Sequence, residues 1–368
     1  MAEDFLRKKL DERKALHAFR QLRLQRNAVD FCSNDYLGIT KQALLEQWMH
    51  DKEDSPWPSG STGSRLLTGN YSLVEETERE LARFHKALGG LLFNSGYDAN
   101  VGLLSCVPQR GDTILYDYLI HASLRDGIRL SFAQSLSFGH NKLDELEKKL
   151  RAATGNLFVV TESVFSMDGD TAPLPAMAAL CNQYGARLIV DEAHATGVVG
   201  EQGAGLVQAL QLEDSCFARI HTFGKACGAH GAIVLGSELL RDYLINFSRP
   251  FMYSTALPPA SVAAIRASYQ IFPHMQAERQ QLAGLINAFQ SAALPCQKLV
   301  SQTPVQGVVV PGNSEVRALA ARLQERGLDV RPILYPTVPK GEERLRIVLH
   351  AFNTAQELAE LIAGLCAA

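Results

Sequence analysis

Short apolar runs alternate with helix-forming segments through the middle of the chain, and this alternation restricts the fold more than any other sequence feature. Leu157-Phe158-Val159-Val160 and Arg187-Leu188-Ile189-Val190 are two such runs, with a helix predicted between them from Pro175 to Tyr184. Because nearly every residue of each run is apolar, the runs predict a mostly parallel sheet that helices cover on both faces. Further strands are predicted at residues 91–93, 113–116, 135–138, 218–222 and 232–235. The expected fold class is α/β.

The length of 368 residues predicts one large domain with a substantial core and a smaller companion. Residues 1–40 are expected to form an N-terminal arm, which contains an amphipathic helix predicted from Phe5 to about Leu24. The large domain is expected at 41–267, with a helix predicted from Tyr71 to Leu88 and ended by Gly89-Gly90. A smaller α/β domain is expected at 268–368, and its long helices are predicted near 277–292 and 315–326.

Composition excludes several classes of function. A net charge of -3 provides no basic surface for nucleic acid or an anionic membrane. No apolar run has the length of a membrane span, and the first ten residues lack the apolar core of a secretory signal. The seven cysteines are scattered without C-x-x-C spacing, which indicates buried thiols in a reducing cytoplasm and neither a disulfide framework nor a zinc site.

Asp191 follows one of the apolar runs, and this position makes it a candidate ligand-binding acid. Ligands of open parallel sheets bind at the carboxyl ends of the strands, although a lone acid here more often caps the next helix. Asp191-Glu192-Ala193-His194 also matches a helicase box, but such a motor needs Gly-Lys-Ser or Gly-Lys-Thr, and here the only Gly-Lys pair precedes Ala226. Gly200-x-x-Gly203-x-Gly205 is a weak dinucleotide candidate, since no strand is predicted to lead into it.

Lys225 lies among small residues just after the strand predicted at 218–222. Thr222, Gly224 and Gly228 place little bulk around it. A lysine in such surroundings can be desolvated and can hold a carbonyl cofactor as a Schiff base. An ordinary surface charge is the alternative.

An ordered set of motifs along nearly the whole chain resembles the α-oxoamine synthase family of fold type I pyridoxal-phosphate enzymes. The matching segments are Ser33-Asn34-Asp35-Tyr36-Leu37-Gly38, Gly60 to Arg65, His121-Ala122-Ser123-Leu124, Thr161 to Gly169, Asp191 to Gly200, Thr222-Phe223-Gly224-Lys225, Tyr253-Ser254-Thr255, Pro336-Thr337-Val338-Pro339 and Arg344-Leu345-Arg346. The resemblance implies a fold of the aspartate aminotransferase type, pyridoxal 5'-phosphate as the cofactor, and a homodimer with shared active sites.

The resemblance also implies roles for the residues that would surround the cofactor ring. Lys225 would hold the cofactor covalently and then act as base and acid at the substrate α-carbon. Asp191 would pair with the pyridinium nitrogen and keep it protonated. His194 and Ser166 would lie near the phenolic oxygen. His121 would stack on one face of the ring, and a satisfied buried histidine is its alternative. Lys225, His121, Asp191 and His194 form the expected catalytic set.

The cofactor phosphate is expected where backbone N–H groups converge. Gly96 and Tyr97 open a helix after the strand at 91–93, so their N–H groups and the helix dipole suit an anion. Thr222 would add a hydroxyl. By resemblance, the partner subunit would contribute Ser254 and Thr255 to the same phosphate.

Arginines are the candidates for binding substrate carboxylates. By resemblance, Arg346 would hold the α-carboxylate of the amino acid through two hydrogen bonds. Arg20 matches an arm residue near the acyl substrate, and a solvated helix charge is its alternative. Asn34 is expected near the substrate, and Arg331 is a further candidate. Ile120 stands where many relatives have Asn or Ser, which replaces a polar contact beside His121 with an apolar wall.

The family joins an amino acid to an acyl thioester with loss of CoA and, in most members, of carbon dioxide. The segments Phe165 to Leu174, Asp191 to Gly197 and Tyr253 to Pro259 favour the reaction of L-alanine with a pimeloyl thioester in biotin biosynthesis. Glycine with acetyl-CoA is the alternative pair, and a non-catalytic scaffold protein is a third hypothesis. One methylene in a pocket is worth only about 1–3 kcal/mol, so motifs are indirect evidence for the substrate.

Overall fold

The structure is a computed structural model that describes residues 3–22, 24, 28–52 and 57–367. Packing divides the chain into two compact units. The small unit comprises Met1–Tyr36, Ser166–Asp170 and Gln280–Ala368, and the large unit comprises Leu37–Phe165 and Thr171–Arg279. The domain division expected at residues 40 and 267 stays a prediction.

Helices and strands alternate along the chain. In chain order the helices are α1 Asp4–Ala15, α2 Leu44–Lys52, α3 Ser72–Phe84, α4 Gly96–Cys106, α5 Ala122–Leu130, α6 Leu143–Ala152, α7 Leu174–Tyr184, α8 Leu206–Ala209, α9 Glu238–Phe247, α10 Arg249–Met252, α11 Pro259–Ile271, α12 Gln276–Ser291, α13 Asn313–Glu325 and α14 Ala355–Cys366. The strands are β1 Val29–Asp30, β2 Gly89–Phe93, β3 Thr113–Asp117, β4 Gln134–Phe138, β5 Leu157–Glu162, β6 Arg187–Asp191, β7 Cys216–Thr222, β8 Ala232–Gly236, β9 Val305–Val309, β10 Leu328–Asp329, β11 Arg331–Ile333 and β12 Arg344–Val348.

In the described part of the large unit, seven strands form one sheet in the order β2-β8-β7-β6-β5-β3-β4. β8 runs antiparallel to both of its neighbours, and the other six strands share one direction. Every residue of β5 is buried, so other residues cover both faces of the sheet there. Helices α4, α6, α7 and α9 pack against its strands. The predicted α/β class is confirmed.

The first long helix of the large unit, α3, ends earlier than predicted. It stops at Phe84 rather than Leu88, and Gly89 and Gly90 belong to β2 instead of ending the helix. The chain turns at Lys86, whose φ is 51°. A Cβ at Gly90 would lie 2.9 Å from Cδ1 of Ile233, so that side chain would have to shift. Gly89 and Gly90 pair with Gly236 and Leu235 of β8, so they belong to the sheet and not to a helix end.

The N-terminal helix is also shorter than predicted. α1 ends at Ala15 rather than near Leu24, and His17 follows with a φ of 50°. Its apolar side chains Phe5, Leu6 and Leu10 are exposed. Residues 23 and 25–27 of the predicted helix and arm lie outside the described residues.

In the described part of the small unit, three antiparallel strands form a sheet in the order β11-β12-β9. β1 pairs in parallel with β10. Helix α13 packs against β10, β11 and α14 through buried leucines that include Leu319 and Leu323. The two long helices predicted for this region are confirmed as α12 and α13, with ends shifted by one or two residues.

Across the described ranges of the chain, every helix is too short or too polar to cross a lipid bilayer. The seven cysteines are all free thiols.

Candidate active site

Polar side chains end four adjacent strands of the large sheet. They are Asp117 of β3, Glu162 of β5, Asp191 of β6 and Thr222 of β7. The register pairs Glu162 directly with Asp191. Because these strands are parallel, their carboxyl ends meet at one edge of the sheet, where ligands of such folds bind.

Asp191 is buried, with 5% of its surface exposed, and two hydrogen bonds orient its carboxylate. Oδ1 accepts from the backbone N–H of Ala193 at 2.9 Å, and Oδ2 accepts from Nδ2 of Asn100 at 2.8 Å. The alternative of a helix cap is wrong, because the next helix begins at Leu206 with Gly205 as its N-cap residue. Asp191 is therefore a buried acid that the protein orients without using it as a cap.

Glu162 is a site residue that motif analysis missed. It is 2% exposed, and its Oε1 accepts from the backbone N–H of His121 at 2.5 Å. Burial, reinforced by the charge of Asp191, raises the pKa of Glu162 to about 8, against an opposing effect of Lys225. Its sequence signal was available, since Glu162 ends an apolar strand just as Asp191 does.

His121 is linked to Asp191 through two further residues that the sequence did not single out. Its Nδ1 lies 2.7 Å from Oγ of Ser123, and that oxygen accepts from Nδ2 of Asn100 at 2.9 Å. Partial desolvation by the surrounding protein lowers the pKa of His121, although its surface remains open to solvent. The charges of Asp191 and Lys225 also act on this pKa, so the structure brings all three residues together.

The N-terminus of α4 approaches the hydroxyl of Thr222. Ser95 caps this helix by accepting from the N–H of Asp98 at 3.1 Å. A Cβ at Gly96 would lie only 2.2 Å from Oγ1 of Thr222, so this approach requires glycine. An exposed helix N-terminus beside a hydroxyl suits an anion. Tyr97 is exposed, and its hydroxyl donates to a carboxylate of α5.

Glu192 organises the loop that carries His194. Its fully buried carboxylate accepts from Oγ of Ser163 at 2.9 Å and from the N–H groups of Leu206 and Val207 at 2.9 and 2.6 Å. His194 itself is buried. Gly205, with a φ of 107°, lies so close to Glu192 that a Cβ would be 2.8 Å from its Oε2. The glycine motif of residues 200–205 therefore has a structural explanation.

Lys225 is half-buried in the loop after β7, where its carbonyl accepts from the N–H of Gly228 at 2.9 Å. Ile120, which precedes His121, is 3% exposed and packs in the apolar core, which is the apolar wall expected there. Ser254 is half-buried, and the carbonyl of Thr255 accepts from Nδ2 of Asn94 at 2.8 Å. The role of these two residues in a partner subunit stays a prediction.

In the small unit, a hydrogen bond joins Arg346 and Asn34, two residues that were predicted to lie at the substrate. Nη2 of Arg346 donates to Oδ1 of Asn34 at 3.0 Å, and Nε donates to the carbonyl of Ser166 at 2.8 Å. These contacts orient the guanidinium of β12. Ser166 belongs to the small unit, and its expected role at the phenolic oxygen stays a prediction.

A cavity of about 720 Å³ in the small unit contains the other arginine candidates. Nη2 of Arg20 donates to Oγ1 of Thr337 at 3.3 Å. Arg20 is exposed in the irregular segment after α1, so its charge is solvated as the alternative expected, although it does not lie on a helix. Arg331, which also lines the cavity, donates to Oδ2 of Asp329 at 2.8 Å.

Two residues of α13, Asn313 and Arg317, hold the arm segment that precedes Arg20. Arg317 donates through Nε to the carbonyl of His17 at 2.6 Å and through Nη2 to that of Phe19 at 3.0 Å. Nδ2 of Asn313 donates to the carbonyl of Leu16 at 2.7 Å. We call these contacts the arm clamp. The sequence carried no signal for it, because backbone carbonyls accept all three hydrogen bonds.

Comparisons with known proteins agree with this fold. The family model of aminotransferase class I and II matches residues 26–365. The chain is 43% identical to an 8-amino-7-oxononanoate synthase of Emericella nidulans, over 98% of this chain and 94% of that protein. Among solved structures, the serine palmitoyltransferase of Sphingomonas wittichii is similar with a TM-score of 0.84 and 28% identity, over 93% of this chain and 87% of that one. The 8-amino-7-oxononanoate synthase of Francisella tularensis is similar with a TM-score of 0.78 and 28% identity, over 92% and 97%.

The fold and the matched relatives define a pyridoxal-phosphate-dependent transferase of fold type I. The chain belongs to the aminotransferase class I and II family, and within it to the α-oxoamine synthases. The predicted family, fold type and cofactor are confirmed. The hypothesis of a non-catalytic scaffold is wrong, since the relatives of this chain are named as synthases and transferases.

The residues of the large unit fit this cofactor. Asp191 offers a buried, oriented carboxylate for the ring nitrogen. Because Gly96 has no side chain, the hydroxyl of Thr222 lies beside the first N–H groups of α4, and this set of donors suits the phosphate. The amine of Lys225 lies within electrostatic range of His121 and Glu162.

Proposed function

We propose that this chain condenses L-alanine with a pimeloyl thioester, pimeloyl-CoA, to give 8-amino-7-oxononanoate, CoA and carbon dioxide in biotin biosynthesis. The observation that carries this proposal is the 43% identity to an 8-amino-7-oxononanoate synthase over 98% of the chain. The cavity of about 720 Å³ beside Arg20 supports it, because its size suits a long acyl chain better than an acetyl group.

The proposed roles of the cofactor site follow from charge. When bound, the cofactor supplies an electron sink for negative charge at the α-carbon of the amino acid. The carboxylate of Asp191 would hold a proton on the ring nitrogen and so strengthen that sink. Nζ of Lys225 would anchor the cofactor and would take and return the α-proton. His194 and Ser166 are assigned to the phenolic oxygen by resemblance, and the ring of His121 would cover one face.

The phosphate is assigned to the N-terminus of α4 and its neighbours. The backbone N–H groups of Gly96 and Tyr97 and the hydroxyl of Thr222 donate to it. Ser254 and Thr255 of the partner subunit complete this set, so the active form is a homodimer.

An exposed apolar surface supports the homodimer. Tyr253 is 70% exposed, and Leu66 and Leu67 are 51% and 79% exposed. The two segments belong to one surface, because the N–H of Ala256 donates to the carbonyl of Gly63 at 2.9 Å. Apolar side chains clustered in this way are typical of a protein interface.

Substrate carboxylates are assigned to arginines of the small unit. Arg346, oriented by Asn34, would hold the α-carboxylate of alanine through paired N–H groups. Arg20 would bind the acyl thioester in the cavity that it lines, and the arm clamp would keep Arg20 in place.

The proposed compartment is the cytoplasm. Seven free thiols and a net charge of -3 suit a reducing compartment and small-molecule substrates better than a membrane or nucleic acid.

The decisive experiment measures CoA release with two substrate pairs. Alanine with pimeloyl-CoA should be turned over faster than glycine with acetyl-CoA, and the opposite preference would replace the proposed reaction with the alternative. Lys225→Ala should abolish turnover together with the absorbance band of the cofactor–lysine link. Lys148→Ala is the matched control, since Lys148 lies exposed on α6 of the same unit.

A further inference from the structure

We infer that Asn100 and Ser123 are positioning residues that hold His121 in the tautomer with its proton on Nε2. They form a continuous hydrogen-bonded bridge from Asp191 to His121. The tautomer makes Nε2 a hydrogen-bond donor and Nδ1 an acceptor. The assigned role of His121 at the cofactor rests on the proposed function, whereas the bridge itself rests on contacts within the large unit.

The carboxylate of Asp191 determines which atom donates in each hydrogen bond of the bridge. Its Oδ2 accepts, so the atom of Asn100 at 2.8 Å must be the amide nitrogen. The same nitrogen lies 2.9 Å from Oγ of Ser123 and donates its second proton there. The carboxylate of Asp191 therefore fixes the orientation of the Asn100 amide. The hydroxyl oxygen of Ser123 uses one lone pair to accept from this amide.

Two donors then converge on Nδ1 of His121. The backbone N–H of Ser123 donates to Nδ1 at 3.2 Å, and its Oγ lies 2.7 Å from the same atom. A ring nitrogen can accept an N–H only through a free lone pair. Nδ1 is therefore unprotonated, the hydroxyl of Ser123 donates to it, and the proton of the neutral ring lies on Nε2.

Electrostatics agree with a neutral ring. Partial burial lowers the pKa of His121, and the positive charge of Lys225 acts in the same direction. The negative charges of Asp191 and Asp126 oppose this shift without reversing it. Near neutral pH the imidazole is uncharged, so the choice of tautomer decides which nitrogen donates.

The backbone of His121 is held separately from its ring. Its N–H donates to Oε1 of Glu162. Glu162 thus holds the main chain of His121, and the hydrogen-bonded bridge to Asp191 holds its ring. With Nε2–H as donor, His121 can bind an acceptor oxygen of the substrate while its ring covers the cofactor. The opposite tautomer would present a lone pair to that oxygen and repel it.

Nitrogen-15 NMR of the full-length protein, labelled in histidine, tests the bridge directly. His121→Gln identifies the signals of His121 among those of the ten histidines. Wild-type protein should show Nδ1 as a lone-pair nitrogen and Nε2 as a protonated nitrogen. The reverse pattern would overturn the assignment.

Two variants test the positioning role. The backbone N–H of residue 123 stays 3.2 Å from Nδ1 in both alanine variants, so Ser123→Ala and Asn100→Ala should each add a minor share of the tautomer protonated on Nδ1 rather than replace the wild-type one. Ser123→Thr, which keeps the hydroxyl, should restore the wild-type pattern. Ser135→Ala, at an exposed position of β4, is the control. An unchanged tautomer in both alanine variants would refute the positioning role. This measurement needs no turnover, so its outcome is independent of whether the proposed substrates are correct.

Discussion

Replacing Glu162 with glutamine should make the stability of the folded chain less dependent on pH. Glutamine keeps a side-chain oxygen for the N–H of His121 but cannot ionise. In the wild type, burial and the neighbouring charge of Asp191 raise the pKa of Glu162 from the ordinary 4.5 to about 8. The variant therefore removes one titration and preserves the hydrogen bond.

Proton binding determines whether the free energy of unfolding rises or falls with pH. Between pH 4.5 and about 8 the folded chain keeps a proton on Glu162 that the unfolded chain has released. The free energy of unfolding therefore falls as pH rises through this interval. The loss of unfolding free energy reaches its full value above the pKa of Glu162 in the folded chain. Each pKa unit corresponds to about 1.4 kcal/mol. A rise of roughly 3.5 in the pKa therefore limits the stability that the titration of Glu162 can remove to about 5 kcal/mol.

Chemical denaturation at a series of pH values from 5 to 9 measures this effect. The advantage in unfolding free energy of Glu162→Gln over wild type should grow with pH and level off above pH 8. Glu46→Gln changes an exposed glutamate of α2 and should show no such trend. A difference between Glu162→Gln and wild type that stays constant with pH would refute the raised pKa.

Gly96→Ala should weaken cofactor binding at least tenfold, because the new Cβ would meet Oγ1 of Thr222 at 2.2 Å, and unchanged affinity in an absorbance titration would argue against the phosphate site. Arg346→Lys should raise KM for alanine about 10- to 100-fold, since one charged hydrogen bond is worth about 1.5–3 kcal/mol, and KM for the acyl thioester should stay constant. Equal changes in both constants would contradict this assignment. Arg317→Ala should release the arm and raise KM for the acyl thioester alone, whereas Arg322→Ala, exposed on the same helix, should not. If both arginine variants behave alike, the arm clamp has no role in substrate binding.

Local patterns failed where distant packing controlled the backbone. The predicted helix from Tyr71 to Leu88 was too long because Gly89-Gly90 resembles a helix end. Gly90 instead pairs with Leu235 on the neighbouring strand β8. The arm helix was extended past Ala15 because its apolar spacing continues, whereas the chain leaves the helix at His17. Neither turn carries glycine, so no local pattern predicted these turns.

The sequence by itself determined the class of fold, the family and the principal candidates of the site. Apolar runs predict strands wherever they occur, and an acid or lysine after such a strand lies at the ligand-binding edge of a parallel sheet. Asp191 and Lys225 were found in this way, and the ordered motifs identified the family.

Only the tertiary structure decided which side chains complete the site. Asn100 and Asp191 are 91 positions apart, and Asn34 and Arg346 are 312 apart, yet each pair is joined by a hydrogen bond. Burial raises the pKa of Glu162, and the strand register adds to this effect by placing the charge of Asp191 beside it. Hydrogen bonds and burial depend on three-dimensional neighbours, and the order of strands in the sheet sets those neighbours.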